Sequence, residues 1–240
     1  MALICIMSVF EEEALIADAI RSCANTGINQ VFVFDGAWSN FAGYIHSQDD
    51  TVPIAESESA IVVRPLFTWK SQAHKRTYMF HNCGASIGDH IVVLDADERF
   101  DEGVHFPSLG AEHYAVYART VGPMEEGRLA YPKGDYSPDY NPFLRVFAYS
   151  PELVCAFSGG YWDGTERIKL QAVKALNSQR VSITERWDLR SDSRRKQKHK
   201  FLAEYMPKRA ELVNEIVRTN KNRLPEDYRQ ELLQCALITQ

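Results

Sequence analysis

Two aspartates separated by one residue directly follow a short apolar run. The run is Ile91 to Leu94, and the residues after it are Asp95, Ala96, Asp97 and Glu98. The run predicts a strand, so the two carboxylates would leave its end together. Mg²⁺ and Mn²⁺ bind one or two carboxylates together with phosphate oxygens and water. The spacing therefore predicts a divalent-cation site at Asp95 and Asp97. An acidic strand end that only starts a turn is the alternative.

A second acidic strand end occurs earlier in the chain. The segment VFVFDG, residues 31–36, predicts a short strand that stops at Asp35. In open α/β sheets, ligands bind beyond the carboxyl ends of the strands. Because Asp35 and Asp95 end different strands, we expect both to lie at one ligand-binding edge.

The first hundred residues alternate between strand and helix patterns. We predict strands at 2–10, 31–36, 61–65 and 91–98, and helices at about 15–23 and 71–85. This order predicts an α/β fold with a mostly parallel sheet and helices on both faces. Aromatic segments with turn residues follow residue 103, and residues 122–142 predict a functional loop or flap. Residues 193–219 and 226–238 predict helices.

Composition excludes several classes of protein. Of the 240 residues, 45% are hydrophobic and 25% are charged, which is typical of a globular chain and excludes disorder and coiled coils. The net charge of −5 argues against a molecule that coats a polyanion with its whole surface. No apolar run is long enough to span a bilayer, and the apolar start at residues 2–10 runs into three glutamates without a basic leader. These features predict a cytoplasmic protein. The five cysteines are scattered and predict neither a disulfide framework nor a zinc site.

Several segments, in order, resemble the family 2 glycosyltransferases of the GT-A fold. SVFEEEALIADAIRS, residues 8–22, resembles the opening motif of the family, and VFVFDG resembles its second strand. SQDDT, residues 47–51, resembles its S-x-D-G-T loop. WKSQAHKRTYMF, residues 69–80, resembles the W-x-x-Q-x-x-K-R-N helix of small bacterial lipopolysaccharide-core members. DADE and LRVF, residues 95–98 and 144–147, resemble the metal motif and the strand after the acceptor loop.

The resemblance implies a fold, a reaction and a division of the chain. It implies a Rossmann-like GT-A sheet with a helical extension. It also implies an inverting, metal-dependent transfer of a sugar from a nucleotide sugar, with uracil as the favoured base. Residues 1–120 would bind the nucleotide sugar, 121–185 would form the acceptor side of the same domain, and 186–240 would form the extension. The acceptor could be a glycan, a lipid-linked sugar or a modified nucleic acid.

The resemblance also assigns residues to the donor. Donor contacts are expected from the opening motif, the second strand, the basic helix, the metal motif and the later strand: Val9, Phe10, Glu12, Asp35, Lys75, Arg76, Asp95, Ala96 and Arg145. Asp95 and Asp97 would hold Mn²⁺ or Mg²⁺, which would stabilise the leaving diphosphate. A solvated helix face is the alternative for Lys75 and Arg76. Arg145 lies in an apolar strand and needs a partner, either diphosphate or an acid of the acceptor loop.

Inversion requires a base that accepts the proton of the attacking hydroxyl. In this family the base is an acid on the acceptor side, and the segment GGYWDGTE, residues 159–166, offers Asp163 and Glu166. We favour Asp163 as the base. A turn capped by an aspartate is the alternative. Many relatives carry a histidine near residues 185–187 that completes the metal site, and this chain has none there.

A basic stretch and two other functional classes complete the expectations. Residues 186–200 contain seven Lys or Arg and two Asp, which fits a solvated helix, a flap over phosphates or a contact with a polyanion.

A sugar nucleotidyltransferase would also hold a metal on strand-end acids, but it should carry a glycine-rich phosphate loop where this chain has Glu11 to Glu13. A catalytically silent binding protein with the same cleft is the third class.

Overall fold

The structure is a computed structural model, and it describes most of the first half of the chain. The described residues are 1–39, 43–121, 142–155, 161–163, 167–168, 174–176, 182–186, 214, 217–224, 226, 229–230 and 233. The predicted loop at 122–142 and the basic stretch at 186–200 lie outside these residues, apart from Pro142 and Arg186 at their ends.

The first hundred residues alternate strands and helices, as the sequence predicts. The elements are β1 (Leu3–Val9), α1 (Ile16–Ser22), β2 (Gln30–Asp35), α2 (Thr51–Ser57), β3 (Ile61–Val63), α3 (Gln72–Asn82), β4 (His90–Asp95) and β5 (Glu98–Phe100). The sequence did not predict α2, which directly follows the SQDD part of the SQDDT loop. The strand predicted at 91–98 divides at the DADE turn, because β4 ends at Asp95 and β5 begins at Glu98.

Further strands follow residue 113. They are β6 (Tyr114–Val121), β7 (Pro142–Ala148), β8 (Val154–Cys155), β9 (Tyr161–Trp162), β10 (Arg167–Ile168), β11 (Lys174–Ala175) and β12 (Ser182–Arg186). The positions described within the two predicted C-terminal helices are helical or belong to the turn between them. Among the described residues, no helix has both the length and the apolar character needed to cross a membrane.

The described strands form one large sheet and one small one. The large sheet has the order β3-β2-β1-β4-β7-β6-β12-β5, with β11 paired to β6, and β8, β9 and β10 form the small sheet. The pairs of β1 with β2 and β4 are parallel, whereas β7 is antiparallel to both β4 and β6. This mixed, mostly parallel sheet with flanking helices is the Rossmann-like GT-A fold that the resemblance predicts.

Hydrophobic cores cover both faces of the sheet. Along β1, Cys5 and Met7 pack into the core beneath α1, while Ile4 and Ile6 pack into the core beneath α3. This alternation follows from the two-residue period of a strand, and it explains why β1 reads as a continuous apolar run. Each large apolar side chain that is fully buried contributes about 1.5–3 kcal/mol relative to exposure. The central strands therefore form the rigid part that holds the carboxyl edge.

Helix α3 has a defined start and orientation. Ser71 caps it by accepting a hydrogen bond from the His74 backbone N–H at 3.0 Å. Met79 and Phe80 anchor its inner face in the core. The orientation of α3 decides which of its basic residues face the sheet edge.

Candidate active site

The structure brings the two acidic strand ends to one edge of the sheet. Asp35 is level with Val9 in the pairing of β2 with β1, and Asp95 is level with Ser8 in the pairing of β4 with β1. Neighbouring strands lie about 4.8 Å apart, so the backbones at Asp35 and Asp95 are about 10 Å apart with β1 between them. A cleft of this width at the carboxyl ends of parallel strands is where α/β proteins bind ligands.

On the β2 side, Asp35 is held by hydrogen bonds. Its side chain is 0% exposed and lies 3.4 Å from Nε of Arg64, the residue that directly follows β3. The Ser47 hydroxyl donates to Asp35 Oδ1 at 2.6 Å, and the Ser47 backbone N–H lies 3.2 Å from both carboxylate oxygens. Asp35 therefore fixes the SQDDT loop and Arg64. A direct contact between Asp35 and a ligand requires one of these groups to move.

The opening motif lies against the same loop. The backbone N–H of Glu11 donates to the Ser47 hydroxyl, and that of Glu12 donates to the Thr51 hydroxyl, both at 2.7 Å. Phe10 is buried, and its ring lies 5.9 Å from that of Tyr44. The SQDDT loop thus lies beside Asp35 although it is separated from β2 in sequence.

Lys75 connects the ends of β1 and β2. Only 1% of the residue is exposed, and its Nζ donates to the carbonyl of Val9 at 2.9 Å and to that of Gly36 at 3.2 Å. The ammonium also lies 5.4 Å from the ring centre of Trp69. A Cβ on Gly36 would lie 2.5 Å from Trp69 Nε1, so this junction is tightly packed. These contacts exclude a solvated helix face for Lys75.

On the β4 side, arginines surround Asp95. Arg76 Nη2 lies 3.5 Å from one carboxylate oxygen, and Arg145 Nη1 lies 3.7 Å from the other. Arg145 also pairs with Glu98, and Glu98 accepts the backbone N–H of Asp95 at 2.8 Å. Arg76 donates to the Tyr161 hydroxyl at 3.0 Å. Among the described residues, the acids that pair with Arg145 thus belong to the DADE segment. Because the Arg76 side chain is only 11% exposed, it does not belong to a solvated helix face either.

The pKa values in this group reflect burial and close charges. Burial raises the pKa of Glu98 to about 8, with Asp95 and Asp97 acting in the same direction and Arg145 opposing them. Burial acts to lower the pKa of Arg76, but its interactions with the Tyr161 oxygen and the Asp95 carboxylate raise it above its ordinary value. Burial raises the pKa of Tyr161 to about 12. The two arginines therefore stay cationic and the phenol neutral at physiological pH.

Asp97 and Ala96 complete the DADE turn, and both are 3% exposed. The side chain of Asp95 is more accessible, at 32%. Carboxylates of Asp95 and Asp97 are a donor set that fits a hard cation whose other ligands come from diphosphate and water. Within the described part of the chain, no group of three or more His, Cys, Asp or Glu residues is placed to hold a metal without such a ligand.

Of the two candidate bases, the structure describes Asp163. Asp163 Oδ2 lies 3.3 Å from Nε2 of His113, and Glu166 lies outside the described residues. Tyr114, which follows His113, pairs with Val146 of β7, and Val146 pairs with Val92 of β4. Val92 lies three residues before Asp95. Three residues correspond to about 10 Å along a strand. His113, which contacts Asp163, thus lies beside the first half of β4 and not beside its carboxyl end.

Sequence reasoning missed Arg64 and His113. Arg64 lies within the end of the third predicted strand, 61–65, and directly follows β3, so a charged residue at a third strand end was the available signal. No local pattern marks His113, because its contact with Asp163 spans 50 residues.

No protein family and no curated protein matches the chain in sequence. Solved structures with a similar backbone exist. The fragment 1–349 of S. aureus TarS is similar with a TM-score of 0.50 and 11% identity, over 97% of this chain and 69% of that one. A longer S. aureus TarS structure gives a TM-score of 0.47 and 11% identity, over 100% of this chain and 53% of that one.

Glucosyl-3-phosphoglycerate synthase from Mycobacterium tuberculosis, crystallised with Mn²⁺, UDP and glucosyl-3-phosphoglycerate, is similar with a TM-score of 0.34 and 18% identity over 49% of this chain. This chain covers 44% of that enzyme, which is less than half of its length. Because the TM-score is low, this likeness bears on neither donor nor metal. The likeness to TarS 1–349 shows the fold alone, which is the GT-A fold.

Proposed function

We propose that this protein is a metal-dependent inverting glycosyltransferase that transfers a sugar from a nucleotide sugar, with UDP as the favoured carrier, to a hydroxyl acceptor. The observation that carries the proposal is the arrangement of Asp95, Arg76 and Arg145 at the carboxyl edge of the GT-A sheet, beside the strand end that carries Asp35. The order of motifs along the chain supports the same reaction.

The arginines match the electrostatic demand of the reaction. Negative charge develops on the leaving diphosphate as the glycosidic bond breaks, and fixed positive charge stabilises it. Arg76 and Arg145 are held in place by Tyr161 and Glu98, so their guanidinium groups need little rearrangement. A diphosphate that binds here would replace Asp95 as the partner of one or both arginines. Asp95 and Asp97 would hold the cation, which supplies further neutralisation of the leaving group when bound.

The β2 side would form the nucleoside end of the site. Asp35 is fully paired in the structure, so we propose that it positions Arg64 and Ser47 as the groups that face the base and ribose. Arg64 suits this role because its side chain is 44% exposed at the edge of the cleft.

Asp163 and Glu166 remain the candidates for the base. We expect Asp163→Asn to lower turnover and to spare donor binding, because the base acts on the acceptor hydroxyl and not on the donor. Steady-state rates at saturating donor would measure this effect. If Glu166→Gln lowers the rate instead, Glu166 is the base and Asp163 serves the contact with His113.

A catalytically silent binding protein is the competing function. It is favoured by the arginines that hold Asp95 and by the burial of Asp97, since both reduce access of a cation to the carboxylates. Release of nucleoside diphosphate from labelled nucleotide sugars separates the two functions, because only an active site cleaves the donor.

The test of the metal assignment compares Asp97→Asn with the wild type. We expect manganese to strengthen UDP binding in the wild type, measured as a rise in melting temperature, and Asp97→Asn to remove that gain. Glu56→Gln, which removes an exposed carboxylate from α2, is the matched control and should keep it. Equal UDP affinity with and without manganese in the wild type would contradict the metal assignment.

A further inference from the structure

Helix α3 borders a second cavity, which the proposed sugar transfer does not use. This cavity has a volume of about 440 Å³ and lies between α3 and residues 218–223 near the C-terminus. Lys70 and Ser71 line the cavity just before α3 begins, and the lining from α3 includes His74, Thr77, Tyr78, His81 and Asn82 at helical spacing. This spacing places these residues on one face of the helix.

The lining of the cavity is rich in positive charge. Lys70 comes from the α3 side, and Arg218 and Arg223 come from the opposite segment. None of the described lining residues is Asp or Glu. The remaining lining consists mainly of hydroxyl and amide groups, such as those of Tyr78, Asn82 and Asn220. Because cations outnumber acids among the described lining residues, this wall attracts an anion, and the neutral polar groups can bind its hydroxyl groups.

His81 provides a second, independent observation. Its Nε2 is shielded from solvent and has no hydrogen-bond partner among the described residues, although the ring lines the cavity. Burial and the nearby charge of Arg223 lower the pKa of His81, while Leu153 and Glu152 oppose this change. A shielded polar nitrogen beside an arginine is a position where a polar group of a ligand would find a hydrogen-bond partner.

The cavity is separate from the carboxyl edge. Lys75 and Arg76 point from α3 toward the ends of β1, β2 and β4, and not into the cavity. Thr77, which lines the cavity, is bound through its hydroxyl to the backbone of Cys155 at 3.0 and 3.2 Å. The helix and its inner contacts therefore lie between the two sites.

We propose that this cavity binds a small phosphorylated molecule with the bulk of a sugar phosphate. Guanidinium groups bind phosphate oxygens in pairs, and the arginines at positions 218 and 223 can approach from the same wall. The volume suits a small molecule, because pockets for such ligands measure about 300–1,000 Å³. This site is additional to the donor site and does not depend on the proposed function.

Titration calorimetry with glucose 6-phosphate, inorganic phosphate and uncharged glucose tests the proposal. We expect the wild type to bind glucose 6-phosphate, to bind phosphate more weakly, and to bind glucose not at all. Arg218→Gln and Arg223→Gln should each weaken binding of glucose 6-phosphate by about tenfold or more, because each removes a charge-assisted hydrogen bond. Lys221→Gln is the matched control, since it removes an exposed cation of the same turn that does not line the cavity.

Three results would overturn the proposal. They are no binding of glucose 6-phosphate at millimolar concentration, equal binding of glucose, and unchanged affinity in both arginine variants. If the arginine variants do not fold, Asn82→Asp serves instead, because it adds a negative charge to the wall at an exposed position. It should weaken the binding of glucose 6-phosphate, and unchanged affinity would overturn the proposal as well.

Discussion

The two sides of the carboxyl edge are built differently. On the β2 side, Lys75 is bound to backbone carbonyls, and Asp35 is bound to a backbone N–H, a hydroxyl and Arg64. On the β4 side, Asp95 is held through long contacts to Arg76 and Arg145, and both of these arginines have a second partner.

This difference separates structural support from exchangeable charge. Contacts to the backbone fix the positions of strand ends, and they cannot be replaced by a ligand without local rearrangement. Ion pairs between side chains can exchange one partner for a phosphate or a cation. We therefore expect the β2 side to govern stability and the β4 side to govern donor binding.

The largest expected effect is on the β2 side. Lys75→Met should lower the free energy of unfolding by about 3 kcal/mol or more, because two buried carbonyls lose a charged donor and Val9 keeps only the backbone N–H of Gly36. Denaturant unfolding of the two proteins measures the difference. Lys70→Met is the control, since Lys70 is exposed and its change should stay within about 0.5 kcal/mol. Similar losses of unfolding free energy in Lys75→Met and Lys70→Met would contradict the expectation that the β2 side governs stability.

The next effect compares the two aspartates directly. Asp35→Asn should cost about 2 kcal/mol of stability, because the buried carboxylate loses charge-assisted contacts to Ser47 and Arg64. Asp95→Asn should cost less than about 1 kcal/mol, because its ion pairs are long and partly exposed. Asp95→Asn should instead weaken UDP binding in the presence of manganese. The reverse order of the two stability losses would contradict the division between the two sides.

The smallest effect concerns pH and comes from the opposite end of β4. Burial lowers the pKa of His90, so the folded protein binds a proton less readily than the unfolded chain. The contribution of His90 to stability should therefore be complete above the ordinary histidine pKa of 6.5 and should fall as the pH drops below it, by less than about 1 kcal/mol.

The measurement is the free energy of unfolding at pH 7.5 and pH 5.5. His90→Phe should reduce the pH dependence, whereas His105→Phe, at an exposed position, should leave it unchanged. An unchanged slope in His90→Phe would assign the pH dependence to other groups, including those of the carboxyl edge.

The strand ends could be predicted from the sequence, and the contacts between them could not. Asp35 and Asp95 follow apolar runs, and the parallel order of β2, β1 and β4 brings such ends to one edge. The adjacent residues Lys75 and Arg76 point about 100° apart on a helix, so sequence alone could not decide which partners each one reaches. The break of the predicted strand between β4 and β5 also depends on the burial of Glu98 beside Arg145, which is 47 residues away.

The most direct test is a crystal structure of the protein with UDP and Mn²⁺. The account predicts an anomalous manganese peak within coordination distance of Asp95 or Asp97, with the diphosphate in contact with Arg76 or Arg145 and the nucleoside beside Arg64 and Ser47. UDP bound away from this edge, or diphosphate in contact with neither arginine, would contradict the account.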